Sequence, residues 1–354
     1  MKIKAGVIGC GYISQFHFAG LAAAGAEVAW VCDFNEAAAR PWADKFNARY
    51  AAHHAEVLAD PTVDVIFVLT HSRFHKVICL EAIEAGKAVI CEKTLAENAD
   101  DALAIVSAAK SRDTVFYTSY MKRFIPAVEK ARELLPACGK ILATHVRAYQ
   151  VWGDCWNPNL TAEWFSQPAD GSPSIPVGKY GGGILVMGGS HMLDLICFLL
   201  GRPQRVYAAW ETMPGRDHDE HTSVLLETGH GRVHLDLLCH PFTKTGFLRD
   251  GWDEQVEIIG DRGTLHLYSA TWNQGDIKPS LLVHHDRATG NTTEHRFDPI
   301  SPFTSAVQFF LNNVEAKTQG AQSKFTGYDV DELIGTIARS ARERCALDVD
   351  YRIG

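Results

Sequence analysis

Residues 3–14 read IKAGVIGCGYIS. The run IKAGVIG is short, apolar and β-rich, and Gly9-Cys10-Gly11-Tyr12-Ile13-Ser14 fits G-x-G-x-x-G/A with Ser14 in the last place. In such a turn the first glycine permits the sharp reversal, and the second lets backbone approach a pyrophosphate at a helix N-terminus. A small third residue lets strand and helix pack closely. A glycine turn by itself needs no ligand, but the chain that follows supplies a reason for one. ISQFHFAGLAAAG is helical, EVAWVCD is strand-like, and Asp33 ends that strand where a carboxylate takes the ribose hydroxyls of a dinucleotide. Phe34 follows, where an NADP-binding chain often has a basic or hydroxyl residue. NAD is therefore favoured, and Arg40 nearby leaves NADP open.

The alternation continues outward from that turn. NEAAARPWADKFN is helical, TVDVIFVLT a buried strand, FHKVICLEAIEAG helical, KAVICEK a strand, ADDALAIVSAAKSRD a helix and VFYTSYM a strand. This rhythm predicts an α/β domain over residues 1–122, a doubly wound parallel sheet of the Rossmann type. After YMKRFIP the pattern changes. IPAVEKARELL reads as a helix and ILATHVRAYQVW as a long strand, and residues 152–180 are rich in Trp, Pro and Gly. From 204 to 300 come RVYAAWET, HTSVLLET, RVHLDLLCH, EQVEIIG, GTLHLYS and SLLVHHD, with helices near 303–318 and 327–344. The expectation is a second, α+β domain over 123–354 with a large open mixed or antiparallel sheet. Its last helix is expected to pack back on the first domain.

A chain of 354 residues accommodates two such domains. It is 46% hydrophobic and 21% charged, and its net charge of −8 disfavours nucleic acid or an anionic membrane as a partner. Nine scattered cysteines without a C-x-x-C pair read as buried thiols of a reducing compartment. MKIKAGVIGCG has no long apolar segment of the signal-peptide kind, and no run reaches the length of a membrane span, so a cytoplasmic protein is expected.

Two further stretches carry chemistry. KAVICEKT delivers Glu92 and Lys93 to the carboxyl end of a parallel strand, the edge outside which ligands bind in open α/β sheets. Thr70-His71-Ser72 ends the preceding strand, and His75 reads equally as a ligand contact or as a structural histidine at a helix start. GGGILVMGGSHMLD, residues 181–194, crowds glycine around an apolar segment from which His191 and Asp194 emerge. If 184–200 is one helix, Met187 and His191 share a face at i and i+4. His218, Asp219, Glu220 and His221 invite a metal reading, but no cysteine joins them and no metal is expected.

As a set, GCGYIS, DFN, THSRFH, EAGKAVICEK, YMKRF, GGGIL…GGSHMLDL, WDEQVEIIGDRGTL and TGYDV occur in the order of a known family. Over essentially its whole length the chain resembles the glucose–fructose oxidoreductase / inositol dehydrogenase / rhizopine-catabolism (Gfo/Idh/MocA) group of NAD(P)-dependent oxidoreductases. The resemblance implies hydride transfer between nicotinamide and a secondary alcohol of a sugar, sugar derivative or cyclitol. It implies Lys93 and His191 as the catalytic pair. It places cofactor contacts at Gly9, Gly11, Tyr12, Ile13, Asp33, Phe34, Thr70, His71, His75, Glu92 and Lys93. Substrate contacts fall at Tyr120, Arg123, Trp152, Trp164, Met187, His191 and Trp252. A homodimer or homotetramer through the second domain's sheet is implied as well. Three positions depart from the family pattern. Met187 stands where inositol dehydrogenase-like members have an aspartate, Thr94 stands where the E-K-P proline would be, and Thr70-His71-Ser72 replaces T-P-N. Asp154, Glu163, Asp194, His240 and Asp253 are the residues that could stand in for the missing acid. Two other activities fit the resemblance. One is a relative that recycles tightly bound NAD in net hydrolysis, elimination or epimerisation. The other is a non-catalytic dinucleotide sensor, against which the retention of Lys93 and His191 argues.

Overall fold

A computed structural model describes every residue except 1, 152–182 and 213–218. The chain divides into two compact units, Met1–Met121 with Pro302–Asp331 and Tyr351–Gly354, and Lys122–Ser301 with Glu332–Asp350. Among the described residues no helix is long and apolar enough to cross a membrane.

In the first unit β1 (Lys4–Ile8), α1 (Ser14–Ala23), β2 (Glu27–Cys32), α2 (Glu36–Phe46) and β3 (Arg49–Ala51) form the first half of a doubly wound sheet. α3 (His54–Leu58), β4 (Val65–Val68), α4 (Ser72–Glu84), β5 (Ala88–Cys91), α5 (Ala99–Ser111) and β6 (Phe116–Thr118) form the second. The six strands are parallel in the order β3-β2-β1-β4-β5-β6, so the winding reverses between β1 and β4. Helices cover both faces of such a sheet, which is why β4, VIFV, is apolar and buried at every position. The reversal point opens a crevice at the strands' carboxyl ends.

Pro302–Glu315, a later helix, also belongs to this unit and lies along α1. Phe16 stacks on Phe303 at 5.0 Å, and Gly20 leaves the room that Val307 fills. Just beyond that helix, the Gln319 side chain completes the ladder of β6. Its amide donates to Phe116 O at 2.7 Å, and its carbonyl accepts from Phe116 N at 3.0 Å.

In the second unit α6 (Pro126–Leu134) and β7 (Ile141–Val151) precede a π turn at Leu185–Gly189 and α7 (Ser190–Leu200). Strands β8 (Arg205–Thr212), β9 (Asp219–Thr228), β10 (Gly231–His240), β11 (Trp252–Gly260), β12 (Gly263–Ser269), β13 (Leu281–Asp286) and β14 (Thr292–Arg296) follow. After the helix described above, now α8, comes α9 (Thr326–Glu343), and β15 (Leu347–Asp348) closes the sheet. The nine strands run β14-β13-β12-β11-β7-β10-β9-β8-β15, with β7–β10 parallel and the other pairs antiparallel. The sheet is therefore mixed.

Strand parity sorts its two faces. Val146, Ala148 and Gln150 of β7 are buried, on the face that also receives the π turn through Gly188 and Gly189, whereas His145, Arg147 and Tyr149 point to the opposite, polar face. There His145 and His234, paired in register, stack at 5.1 Å.

The α1–α8 contact yields a test. A Cβ at Gly20 would lie 2.8 Å from Val307 Cγ2 and 2.9 Å from its Cβ. Gly20→Leu should destabilise the chain by about 1–3 kcal/mol through overpacking. Val307→Ala in the same background should recover part of the loss, read by denaturant titration.

Candidate active site

The first constellation lies at the glycine turn. Gly9 has φ +100°, and a Cβ there would meet Leu69 backbone at 2.7 Å and Thr70 N at 2.9 Å, so no other residue fits under the end of β4. Gly11 is the opposite case, since a Cβ there would meet nothing within 4 Å. That open space lies before the first turn of α1, which no side chain caps at Ile13, and Ser14 Oγ is turned back to donate to Gly11 O at 2.7 Å. A helix N-terminus beside a glycine with open space forms a cradle for a phosphate. Tyr12, 59% exposed, and Phe34, 80% exposed, flank it.

Asp33 completes the turn. Its Oδ2 accepts the Cys10 N–H at 2.8 Å and its Oδ1 accepts the Asn35 N–H at 2.8 Å, which fixes the carboxylate across the two loops. Arg40 is drawn elsewhere, since its Nε donates to Glu36 at 2.7 Å and its guanidinium lies 4.7 Å over the Tyr50 ring. The acid that suits ribose hydroxyls is thus held in place, and the nearby cation that would suit a 2′-phosphate is engaged with Glu36. These residues fit NAD.

The second constellation is the segment after β5, where Lys93, half-buried, precedes a cis peptide to Thr94. The resemblance puts Glu92 and His75 at the dinucleotide, and His75 reads equally as a structural histidine. The structure instead turns both beneath the chain. Glu92 Oε1 lies 2.7 Å from His17 Nε2, and its Oε2 accepts the Lys93 N–H at 3.0 Å. His75 is fully buried, with Nε2 at 2.8 Å from Thr70 O and Nδ1 at 3.1 and 3.2 Å from Thr94 O and Leu95 O. With both ring nitrogens on backbone carbonyls, His75 ties the end of β4 to the Lys93 segment. Asp331 of α9 accepts the Ala96 N–H at 2.8 Å, and burial pushes its carboxyl well above the usual range. Thr70 follows β4 and His71 stands exposed at the start of α4, both at the sheet's carboxyl edge.

In the second unit the glycine-rich segment is a close approach of helix to sheet. A Cβ on Gly188 would strike the Gln150 amide at 2.5 Å, one on Gly189 would meet Leu237 at 2.5 Å, and one on Gly183 would collide with Asp219 backbone. Asp219 Oδ2 in turn accepts the Leu185 N–H at 2.9 Å and the Thr222 hydroxyl at 2.6 Å. Leu185–Gly189 is π-helical, so the simple i, i+4 alignment of Met187 with His191 gives way to a wider turn, a feature frequent at functional sites. His191 and Met187 are both partly exposed.

The stand-in acids sort by position. Asp194 is fully buried and receives Arg123 Nε at 2.9 and 3.0 Å and Nη2 at 2.6 Å, a bidentate pair. Arg123, expected at the substrate, is therefore a structural cation, with Phe198 under its guanidinium at 4.8 Å. Tyr120, also expected there, is 1% exposed and its ring is enclosed. Asp253 pairs with Arg147 at 2.8 Å on the polar face, opposite the π turn. His240 accepts the Phe242 N–H at 3.1 Å, and burial lowers its pKa. Glu254, which the sequence reading passed over, lies on the face of the π turn. It accepts Gln150 Nε2 at 2.6 Å and Ser269 Oγ at 2.7 Å and pairs with buried Lys122. Alternation along WDEQVE was the signal for it, because residues one apart on a strand face opposite sides. Trp252 is buried on that same face, with Lys122 Nζ 5.9 Å from its ring. Trp152, Trp164, Asp154 and Glu163 lie outside the described residues. Among the described residues no cluster of His, Cys, Asp and Glu could hold a metal ion.

Comparison with known proteins agrees with this geometry. Residues 3–120 match the oxidoreductase family with an NAD-binding Rossmann fold, and residues 128–266 match the GFO/IDH/MocA C-terminal domain. Inositol 2-dehydrogenase 3 of Saccharopolyspora erythraea is 26% identical over 95% of this chain and 92% of its own. Inositol 2-dehydrogenase of Ralstonia nicotianae is 25% identical over 93% and 90%. A structure of levoglucosan dehydrogenase in complex with NADH and levoglucosan superposes with a TM-score of 0.81 at 20% identity, covering 99% of this chain and 100% of that one, and shares the fold. With both of its halves matched in order, a glycine turn that only glycine can form, and a carboxylate fixed for a ribose, the chain belongs to the Gfo/Idh/MocA family of NAD-binding oxidoreductases.

Proposed function

We propose that the protein is an NAD-dependent dehydrogenase acting on a secondary alcohol of a sugar, sugar derivative or cyclitol. The observation that carries the cofactor half is Asp33, locked by two backbone N–H groups beside the open space at Gly11. The substrate half is supported by two inositol 2-dehydrogenases alignable along at least 90% of their own length.

NAD, when bound, supplies the hydride acceptor. Gly9, Gly11 and the first turn of α1 would hold its pyrophosphate and Asp33 its ribose. In the family's assignment Lys93 donates a hydrogen bond to the reacting oxygen, and the imidazole of His191 takes the hydroxyl proton on oxidation and returns it on reduction. An ordinary histidine titrates near ~6.5, which suits that exchange around neutrality. Self-association is assigned to the polar face of the nine-stranded sheet, and the protein's mass in solution tests it.

Lys93→Met and His191→Asn should each lower turnover by about 10²–10⁴-fold, the usual worth of a positioned acid or base. NADH binding should change far less than turnover. Myo-inositol, levoglucosan and a panel of aldoses are the substrates to try, with reduced-nicotinamide absorbance as the readout; silence across the panel would sink the dehydrogenase reading. Asp33→Ser should weaken NADH about tenfold, the loss of a charge-assisted hydrogen bond worth ~1.5 kcal/mol. It should also improve NADPH binding, because the carboxylate that repels a 2′-phosphate is gone; titration by nicotinamide fluorescence measures both.

A further inference from the structure

We propose that His17 is a positioning residue for Lys93, acting through the carboxylate of Glu92. The inference rests on the proposed role of Lys93, but its test does not require turnover.

His17 lies in the helix that follows the glycine turn, and it is fully buried. Its ring meets Phe67 at 5.8 Å and Phe303 at 5.6 Å, both edge to face, so the slot around it is aromatic on two sides. Its polar contact is the 2.7 Å approach of Nε2 to Glu92 Oε1, while Nδ1 is buried with no hydrogen-bond partner among the described residues. An acceptor faces Nε2 and none faces Nδ1, which puts a ring proton on Nε2, where it is donated to Glu92. A buried polar atom left without a partner costs about 1–3 kcal/mol. A purely packing residue in this slot would carry no such cost, so the histidine is explained by the hydrogen bond it gives.

Glu92 carries that hydrogen bond onward. Its other oxygen accepts the Lys93 N–H, which fixes the backbone from which the lysine side chain springs. Burial works against its charge, but the hydrogen bond and charge of His17, with the N–H and charge of Lys93, hold its carboxyl below the usual range. The titratable groups that feel Glu92 are His17 from α1, His75 from α4, and Cys91 and Lys93 beside it on β5 and its end; Asp331 from α9 reaches Cys91. Lys93 is the neighbour whose charged form Glu92 supports and which is also partly exposed. A lysine that must donate a hydrogen bond needs its proton, and a fixed anion one residue away keeps it there. His17 thus links the helix of the dinucleotide turn to the charge on Lys93.

Competitive acetylation of the full-length chain with isotope-coded acetic anhydride, read lysine by lysine by mass spectrometry across pH, reports the fraction of each amine that has lost its proton. Glu92→Gln and His17→Leu should speed labelling of Lys93 near neutral pH by about tenfold or more, while other lysines stay unchanged. His17→Gln, whose amide can donate to Glu92 as Nε2 does, should return the rate close to wild type. NADH binding, followed by fluorescence, should be unaltered in all three. Wild-type labelling of Lys93 in His17→Leu overturns the proposal, as does equal behaviour of His17→Leu and His17→Gln. If Glu92→Gln does not fold, the His17 pair decides alone. Lys93→Met with full turnover would remove the catalytic reading of Lys93, and the labelling result would still decide whether His17 governs that amine.

Discussion

Residues 92–98 belong to no helix or strand, yet Glu92, Thr94, Leu95 and Ala96 are buried. Backbone groups buried outside regular structure must find partners, since an unpaired one costs as much as a lost hydrogen bond. Here the Glu92 N–H reaches the Val68 carbonyl at 2.9 Å, and three side-chain partners are titratable residues. Glu92 takes the Lys93 N–H, His75 faces the Thr94 and Leu95 carbonyls, and Asp331 takes the Ala96 N–H. The position of Lys93 depends on this set, and so does the way the first unit is assembled, because its members come from the end of β5, α4 and α9. The segment is a small polar cluster at the carboxyl end of an apolar sheet.

The first unit was legible because its signals are local. A β-rich run, a glycine turn and an alanine-rich helix are decided within about two dozen residues, and Asp33 is placed by its distance from the turn. The partners of Glu92 and His75 were not legible. Both stand at a sheet's carboxyl edge, where a polar side chain turns outward to a ligand or inward to the chain, and the choice depends on His17, 75 residues from Glu92, and on Leu95, 20 residues from His75. Arg123 and Asp194 are a similar case, with 71 residues between two halves of one ion pair.

In the second unit most strands announced themselves by alternation, but β14, TTEHR, did not, because as an edge strand it has no buried position to reveal a period. The π turn escaped for a related reason. Helical periodicity assumes one pitch, and Gly183, Gly188 and Gly189 instead let the backbone bend to the contour of Asp219, Gln150 and Leu237. The glycines of that stretch answer to steric fit against a sheet, whereas Gly11 answers to empty space. The same residue type served opposite ends, and only the surroundings tell them apart.

The return of α8 and Gln319 to the first unit bears on how the molecule is made. A chain emerging from the ribosome exposes β1 to β6 early, but the helix that lies along α1 and the glutamine that closes the edge of β6 follow about two hundred residues later. Until then a parallel sheet of high contact order carries an unsealed edge and an apolar groove on α1. The dinucleotide unit is first in sequence and among the last parts to be finished, so the interval between its synthesis and its closure is the period in which the nascent chain is most open to mispairing.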